Sequence, residues 1–256
     1  LLELDGRTIE ARHVVVATGA FQTPHVPDFA SELAPRVFQT HSQGYRAASD
    51  VPEGSVLVVG GGNTGYQIAS ELSSTHDVHL AVGGRQKPLP QKVLGRDLFW
   101  WLVTTRLFKT SIDSRLGRKL SRRDTLIGSS PRALVRKGVK MKPRMTGASG
   151  RTVSFSDGSN VSVDAVIWAT GFRLDHSWIN LTIFDQDGRL RHRRGVTEVA
   201  GLYFLGLPWQ HTRGSALLGW VKEDAEYIAG RIASSARESE RETPRTVRAM
   251  ATGAPA

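Results

Sequence analysis

The sequence contains no cysteine. That excludes a disulfide scaffold, a thiolate metal site and thiol–disulfide redox chemistry within these residues, and no metal is expected. Long apolar runs are missing too. The longest, such as Leu98–Val103, extend about six residues, whereas a membrane-spanning helix needs roughly 20. No charged-then-apolar opening of the signal-peptide kind is present. The expectation is a cytoplasmic protein without membrane association. The chain begins at Leu1 rather than methionine, so a segment upstream of Leu1 is expected. A stripe of interleaved aromatic and basic residues, as on a nucleic-acid platform, is also lacking. The net charge of +10 is therefore read as solubilising charge plus a few phosphate-binding arginines, and no nucleic-acid partner is expected.

What is present is ordinary globular composition, 39% hydrophobic and 23% charged. The patterning alternates strands and helices, an α/β arrangement. Two segments echo each other: Val14-Val15-Val16-Ala17-Thr18-Gly19 and Ala165-Val166-Ile167-Trp168-Ala169-Thr170-Gly171. Each reads as a buried strand ending in a small-residue turn. Between them, Ser55–Val59 is a continuous apolar run, as in a parallel strand covered on both faces. Asn63–Ser73 has helical spacing, and Asp77–Val82 reads as the next strand. Strand, glycine turn, helix and strand make a βαβ unit. Further along, Leu94–Lys109 reads as an aromatic-rich helix and Arg115–Lys137 as partly helical. Val139–Gly147 reads as a strand, and Thr152–Val163 as a hairpin turning at Asp157-Gly158. Gly201–Leu205 reads as a strand and Gly214–Ser234 as the last helix.

The central motif is Gly60-Gly61-Gly62-Asn63-Thr64-Gly65, a G-x-G-x-x-G at positions 60, 62 and 65. With 26 glycines in the chain the pattern alone carries little weight, but its βαβ setting does. Gly60 permits the tight turn, Gly62 lets backbone approach a pyrophosphate, and Gly65 lets helix and strand pack closely. Amides at the helix N-terminus then face the phosphates, and the macrodipole favours their charge. An NAD site places Asp or Glu at the end of the second strand, to accept from the ribose 2′-hydroxyl. Here that stretch is Val82-Gly83-Gly84-Arg85-Gln86-Lys87, without an acid. A guanidinium at Arg85 suits a 2′-phosphate, so the expected nucleotide is NADPH. Lys87 is a weaker candidate for the same role.

On these residues the chain resembles the flavin-containing monooxygenase family, over Ala11 to about Arg231. The segment Ala17-Thr18-Gly19 through Pro24 and Pro27 is similar to the family's linker A-T-G-x-x-x-x-P-x-x-P. His41-x-x-x-Tyr45 resembles the later half of its F-x-G-x-x-x-H-x-x-x-(F/Y) signature. The glycine turn with Arg85 and the second A-T-G, Ala169-Thr170-Gly171-Phe172, complete the likeness. Thr197–Gly206 resembles the segment that closes the FAD domain in two-dinucleotide flavoproteins. There are departures. Phe38 and His41 stand three apart instead of six, and the signature glycine is replaced. Leu207 stands where an acid often follows the last glycine. Tyr45 instead of Trp argues against the Baeyer–Villiger relatives.

The resemblance implies two Rossmann-like dinucleotide-binding domains of the three-layer type, with the NADPH domain inserted in an FAD domain. It assigns residues 1–34 to part of the FAD domain and linker and 35–170 to the NADPH domain. Residues 171–236 become the rest of the FAD domain and 237–256 a disordered tail. The family's own N-terminal FAD βαβ unit is expected to be missing from this chain. The implied cofactors are FAD and NADPH. The implied reaction uses O2, through a flavin C4a-hydroperoxide, to oxygenate a small soft nucleophile such as an amine or sulfide. By the same resemblance Thr18, Gly19, His41, Ala169, Thr170 and Gly171 contact cofactor. Gln210 and Ser215, with Trp209 and His211 between the last strand and last helix, approach the flavin. No catalytic acid–base pair stands out. A homodimer is compatible with the sequence. Three rival readings stay open: a Baeyer–Villiger ketone monooxygenase, an NADPH:flavin oxidase, and a non-enzymatic NADPH-sensing module.

Overall fold

The computed structural model describes residues 2–4, 6–84, 88–121, 126–127 and 130–242. The chain divides into two compact units, Thr18–Asn180 and Leu1–Ala17 with Leu181–Ala256. These boundaries lie outside the expected 34/35 and 170/171. The physical reason is a pairing: Thr23–Pro24 and Phe172–Arg173 form an antiparallel ribbon, which ties both linker segments to the larger unit.

The larger unit is built on a five-stranded, all-parallel sheet. Its order is Lys140–Lys142, Asp77–Ala81, Ser55–Val59, Ala165–Trp168, Phe38–His41. The apolar run at 55–59 is explained by burial on two sides. Val56 and Val58 point into a core with Tyr66, Ile68 and Leu72 of the helix Asn63–Leu72. Leu57 and Val59 point into the opposite core with Met145, Val153 and Phe155. That second face is covered by an antiparallel sheet of Met145–Ser149, Thr152–Phe155 and Asn160–Ser162. The expected hairpin at Asp157-Gly158 is its second turn, with Gly158 at φ +80°. Trp168 is buried at 1% exposure, and its indole N–H donates to Gln39 Oε1 at 3.1 Å, satisfying the one polar atom such a side chain carries.

The expected aromatic helix is shorter than its apolar spacing suggests. Strands Lys92–Val93 and Arg96–Asp97 form a hairpin. Asp97 then caps the helix Leu98–Thr104 by accepting from the Phe99 amide at 2.7 Å. Arg106, in the left-handed region at φ +57°, closes it. The basic stretch after it holds two short helices, Arg115–Ser121 and Pro131–Arg136. The second starts with Ser130 as cap and proline in the first turn, as helix starts favour.

In the smaller unit, Val14–Val16 runs parallel to Leu202–Phe204, which is followed across the sheet by Val196–Thr197 and His192–Arg193. The last helix is Lys222–Glu242, not 214–234. Residues 213–216 form a 3-10 turn closed by a reciprocal Thr212/Ser215 capping box, and Leu217 is extended. A new helix then starts with Glu223 and Asp224 in its first turn, where negative charge is favoured. It runs past the expected tail boundary at 236/237 through Glu242, over a stretch of strong helix formers. Residues 243–256 of the expected tail lie outside the described residues. Among the described residues no helix is long and apolar enough to cross a membrane.

Candidate functional site

The strands 55–59 and 165–168 are neighbours, and both end at one rim of the sheet. From 55–59 the strands 77–81 and 140–142 are added on one side and the later strand 165–168 on the other, so a crevice opens between these two strand ends, where doubly wound sheets bind ligands. The crevice has a cavity volume of about 540 Å³ and is lined by Gly60, Gly61, Gly62, Gly83, Arg144, Ala169, Thr170 and Gly171, with His25, Pro27 and Phe29 on the far wall.

Each glycine of the turn has a distinct steric reason. The Gly60 amide donates to Ala81 O at 2.9 Å and the Ala169 amide to Val59 O at 2.8 Å. These bonds hold Gly60 at φ +137°, closed to side chains, and a Cβ there would strike the Ala169 carbonyl. A Cβ on Gly65 would strike the Gly60 carbonyl oxygen, so helix and turn touch backbone to backbone. Gly62 is different. Nothing lies within 4 Å of where its Cβ would be. It precedes the helix without any side-chain cap, so no protein side chain competes for the first-turn amides from that position. Open backbone at a helix start is what an anion needs.

Thr64 is exposed in the first helical turn, and Gly65 is buried beneath it. Asn63 serves the fold with its side chain: Oδ1 accepts from the Ile127 amide at 2.8 Å. Arg85 and Lys87 lie outside the described residues. A basic residue that the sequence reading did not select stands in the neighbourhood expected of them. Arg144 Nη2 donates to Gly83 O at 3.0 Å, holding a guanidinium at the carboxyl end of the second strand. The signal was indirect. Lys142 pairs with Ala81 and its carbonyl accepts from Val82 at 2.9 Å, so the residue two beyond it must land beside Gly83.

The second A-T-G turn forms the other wall. Thr170 Oγ1 donates to the His25 carbonyl. Gly171, at φ +82°, accepts through its carbonyl from the His25 amide at 2.9 Å. His41 touches the same carbonyl with Nε2 at 3.0 Å, while its Nδ1 accepts from the Gln43 amide at 3.2 Å. That pairing fixes a neutral ring with the proton on Nε2. Burial holds its pKa below the usual histidine value. His41 therefore anchors the turn from behind and is not among the residues lining the crevice. Burial likewise pushes the Tyr45 hydroxyl up to about 12, and its ring packs on the helix-side core. Thr18 and Gly19 are joined to each other by the Gln22 side chain, which donates to Thr18 Oγ1 and Gly19 O at 2.9 Å. They do not line the crevice either.

In the smaller unit the loop after Leu202–Phe204 turns its polar side chains inward. Gln210 is 2% exposed and Ser215 is fully buried. Gln210 Oε1 accepts from the Leu207 amide at 3.3 Å, and its Nε2 is buried with no hydrogen-bond partner among the described residues. Ser215 Oγ accepts from the His211 and Thr212 amides at 3.1 and 2.9 Å. Trp209 holds the loop in the left-handed region at φ +56°. Thr197 is buried too, and its hydroxyl donates to Leu202 O at 2.9 Å. It staples the turn between two strands.

A family model described as pyridine nucleotide-disulphide oxidoreductase matches residues 2–206. The chain belongs to that family. Among relatives of this chain, the "Uncharacterized oxidoreductase CzcO-like" of Geobacillus kaustophilus (strain HTA426) is 48% identical over 225 residues. The match covers 87% of this chain and 65% of the relative. The "Uncharacterized oxidoreductase CzcO" of Bacillus subtilis (strain 168) is 40% identical over 89% of this chain and 67% of its own length. Among solved structures, the flavin-containing monooxygenase from Stenotrophomonas maltophilia matches with a TM-score of 0.65 and 25% identity. It covers 88% of this chain and 63% of that one. The chain thus spans about two thirds of the length of the relatives it matches. The family description names disulphide chemistry, but these 256 residues hold no cysteine to perform it.

Proposed function

We propose that the Thr18–Asn180 unit of this family member binds NADPH in the crevice at Gly60–Gly65. We further propose that the whole protein is an FAD- and NADPH-dependent monooxygenase acting on a small soft nucleophile such as an amine or sulfide. The observation that carries the reading is the crevice itself. A turn that only glycine can make opens onto space at Gly62, and a guanidinium stands at the carboxyl end of the neighbouring strand. A cavity of about 540 Å³ is within the range of cofactor sites.

The residues fit the nucleotide. Gly60 and Gly65 bring strand and helix together so that the first-turn amides meet the pyrophosphate without an intervening side chain. Arg144 supplies a positive charge toward the ribose and its 2′-phosphate, with Arg85 as second ligand, and the sequence 82–87 contains no acid. A charge-assisted hydrogen bond contributes about 1.5–3 kcal/mol, so a preference for NADPH over NADH of about tenfold or more is expected. Thr170 and Gly171 form the opposite wall, and neutral His41 keeps that wall in register by donating to the Gly171 carbonyl. The smaller unit is proposed as part of the flavin domain, where the loop at residues 207–215 would bear on the flavin mainly through backbone. When bound, NADPH and flavin supply hydride and oxygen chemistry; this chain's residues supply binding, orientation and shielding from water.

Calorimetric titration of the chain with NADPH and NADH tests the first step, with tighter NADPH binding expected. Absence of binding to either would sink the nucleotide reading. Oxygen uptake by the whole FAD-loaded protein, with amine, sulfide and ketone substrates in turn, tests the second step. Uptake coupled to ketone alone would replace the reading with a Baeyer–Villiger enzyme. NADPH binding without any uptake would favour a sensing module.

A further inference from the structure

Leu94 stands at the tip of the two-residue turn that joins Lys92–Val93 to Arg96–Asp97. Its φ is +49° and that of Gly95 is +76°. Such turns select Asn or Gly at the first position, because a branched or bulky side chain is strained there. The Leu94 side chain is also 86% exposed. One residue therefore combines left-handed backbone with an apolar side chain in water, and neither feature helps the fold.

The neighbouring helix continues the same surface. Phe99, Trp100 and Val103 are 41%, 40% and 47% exposed, and their three- and four-residue spacings set them on one side of the helix. These groups are held in place. Trp101 Nε1 donates to Val93 O at 2.9 Å and the Leu98 amide to Gln91 O at 2.7 Å. Phe99 stacks on buried Phe108 at 5.8 Å. Hairpin and helix thus form one rigid piece that presents leucine and aromatics to solvent.

The charge around that piece is predominantly positive. Residues 88–121 carry seven lysines and arginines against two acids, Asp97 and Asp113. Lys92, Arg96 and Arg106 are exposed, and the Arg96 guanidinium lies 4.4 Å from the centre of the Trp100 ring. A basic rim around protruding Leu, Phe and Trp complements a surface with an acyl interior and anionic headgroups. Tryptophan is favoured at the level where the two meet. We propose that the hairpin 92–97 and the helix Leu98–Thr104 form a wedge that docks this protein peripherally on an anionic lipid surface. Leu94 enters the acyl region, and Lys92, Arg96 and Arg106 meet phosphates. This departs from the sequence expectation of no membrane association. It is independent of the nucleotide reading.

The test is sedimentation of the full chain with vesicles of phosphatidylcholine containing about 30% phosphatidylglycerol, compared with phosphatidylcholine alone. Anionic vesicles are expected to bind it, and Leu94→Asn to weaken that binding about tenfold. Asn suits the turn and changes no charge, so melting temperature is expected to hold. Trp100→Ala is expected to weaken binding as well. Leu218→Asn, at a leucine 95% exposed in the other unit, should leave binding unchanged. Equal binding by the native chain and Leu94→Asn would overturn the wedge, leaving attraction by net charge alone. Self-association that Leu94→Asn abolishes, without lipid binding, would also overturn it and make the surface a contact between copies.

Discussion

Two of the turns that follow parallel strands in this chain treat their polar groups in opposite ways. After Ser55–Val59 the glycine turn leaves Gly62 open and uncapped, with the chain's side chains kept out of the way. After Leu202–Phe204 the loop at residues 207–215 consumes its own side chains. Ser215 accepts two loop amides and Gln210 accepts a third. The first turn is organised to present backbone outward; the second is organised to hold itself. A motif residue can thus belong to a cofactor segment by resemblance and still spend its side chain on local structure.

Substitution can break this contrast, and the largest effect is expected within the first turn. Gly65→Ala drives a Cβ into the Gly60 carbonyl. It should cost about 3 kcal/mol or more in a urea melt and abolish NADPH binding. Gly62→Ala should do the reverse. Stability should change by no more than about 1 kcal/mol, while calorimetry reads NADPH binding weakened about tenfold or more. If Gly62→Ala binds NADPH as well as the native chain, the nucleotide does not approach that backbone and the contrast collapses.

The next effect separates Arg144 from the turn. Arg144→Ala should weaken NADPH about tenfold with much less loss for NADH, and leave the melting temperature near native, since this side chain is exposed. The complementary change in the second turn, Ser215→Ala, should lower stability by about 1–2 kcal/mol and leave NADPH affinity unchanged. A fall in NADPH affinity with Ser215→Ala would mean that the second turn is not merely self-supporting.

Protonation should give the smallest effect, shared by both units. Burial holds His41, His79 and His192 below the usual histidine pKa. The unfolded chain takes up protons near pH 6.5 that these folded rings refuse, so the stability they contribute is present above that pH and is lost as pH falls toward their folded values. His41 and His192 each accept a backbone amide through Nδ1, and protonation there breaks the bond. Thermal melts between about pH 7.5 and 5.5 should therefore show a decline of a few degrees. His192→Gln should flatten part of it.

The βαβ unit was legible because its determinants are local and steric. A strand buried on both faces must be apolar throughout, and a turn that admits no Cβ must be glycine. Arg144 was not legible, because its place depends on Lys140–Lys142 pairing beside Asp77–Ala81, a contact between distant segments. The last helix was misplaced because apolar spacing runs on through residues 216–232, while extended Leu217 ends the 3-10 turn at 213–216 and breaks the helical backbone. For Gln210 and Ser215 the sequence carried identity but not direction: spacing cannot tell whether a polar side chain in a loop points to a ligand or to its own amides.

The position of Ala165–Trp168 between Phe38–His41 and Ser55–Val59 also dictates an order of assembly. The two early strands leave the ribosome close together, yet each lacks its shared neighbour until the late strand arrives. The sheet therefore has a keystone delivered last, and its closure waits on pairing between segments far apart in the chain, a slow step by loop-closure entropy. A chain opened at the exposed hairpin turn Asp157-Gly158 would yield two pieces, and only insertion of the smaller into a gap in the larger would restore the crevice. That would make nucleotide binding a reporter of strand insertion.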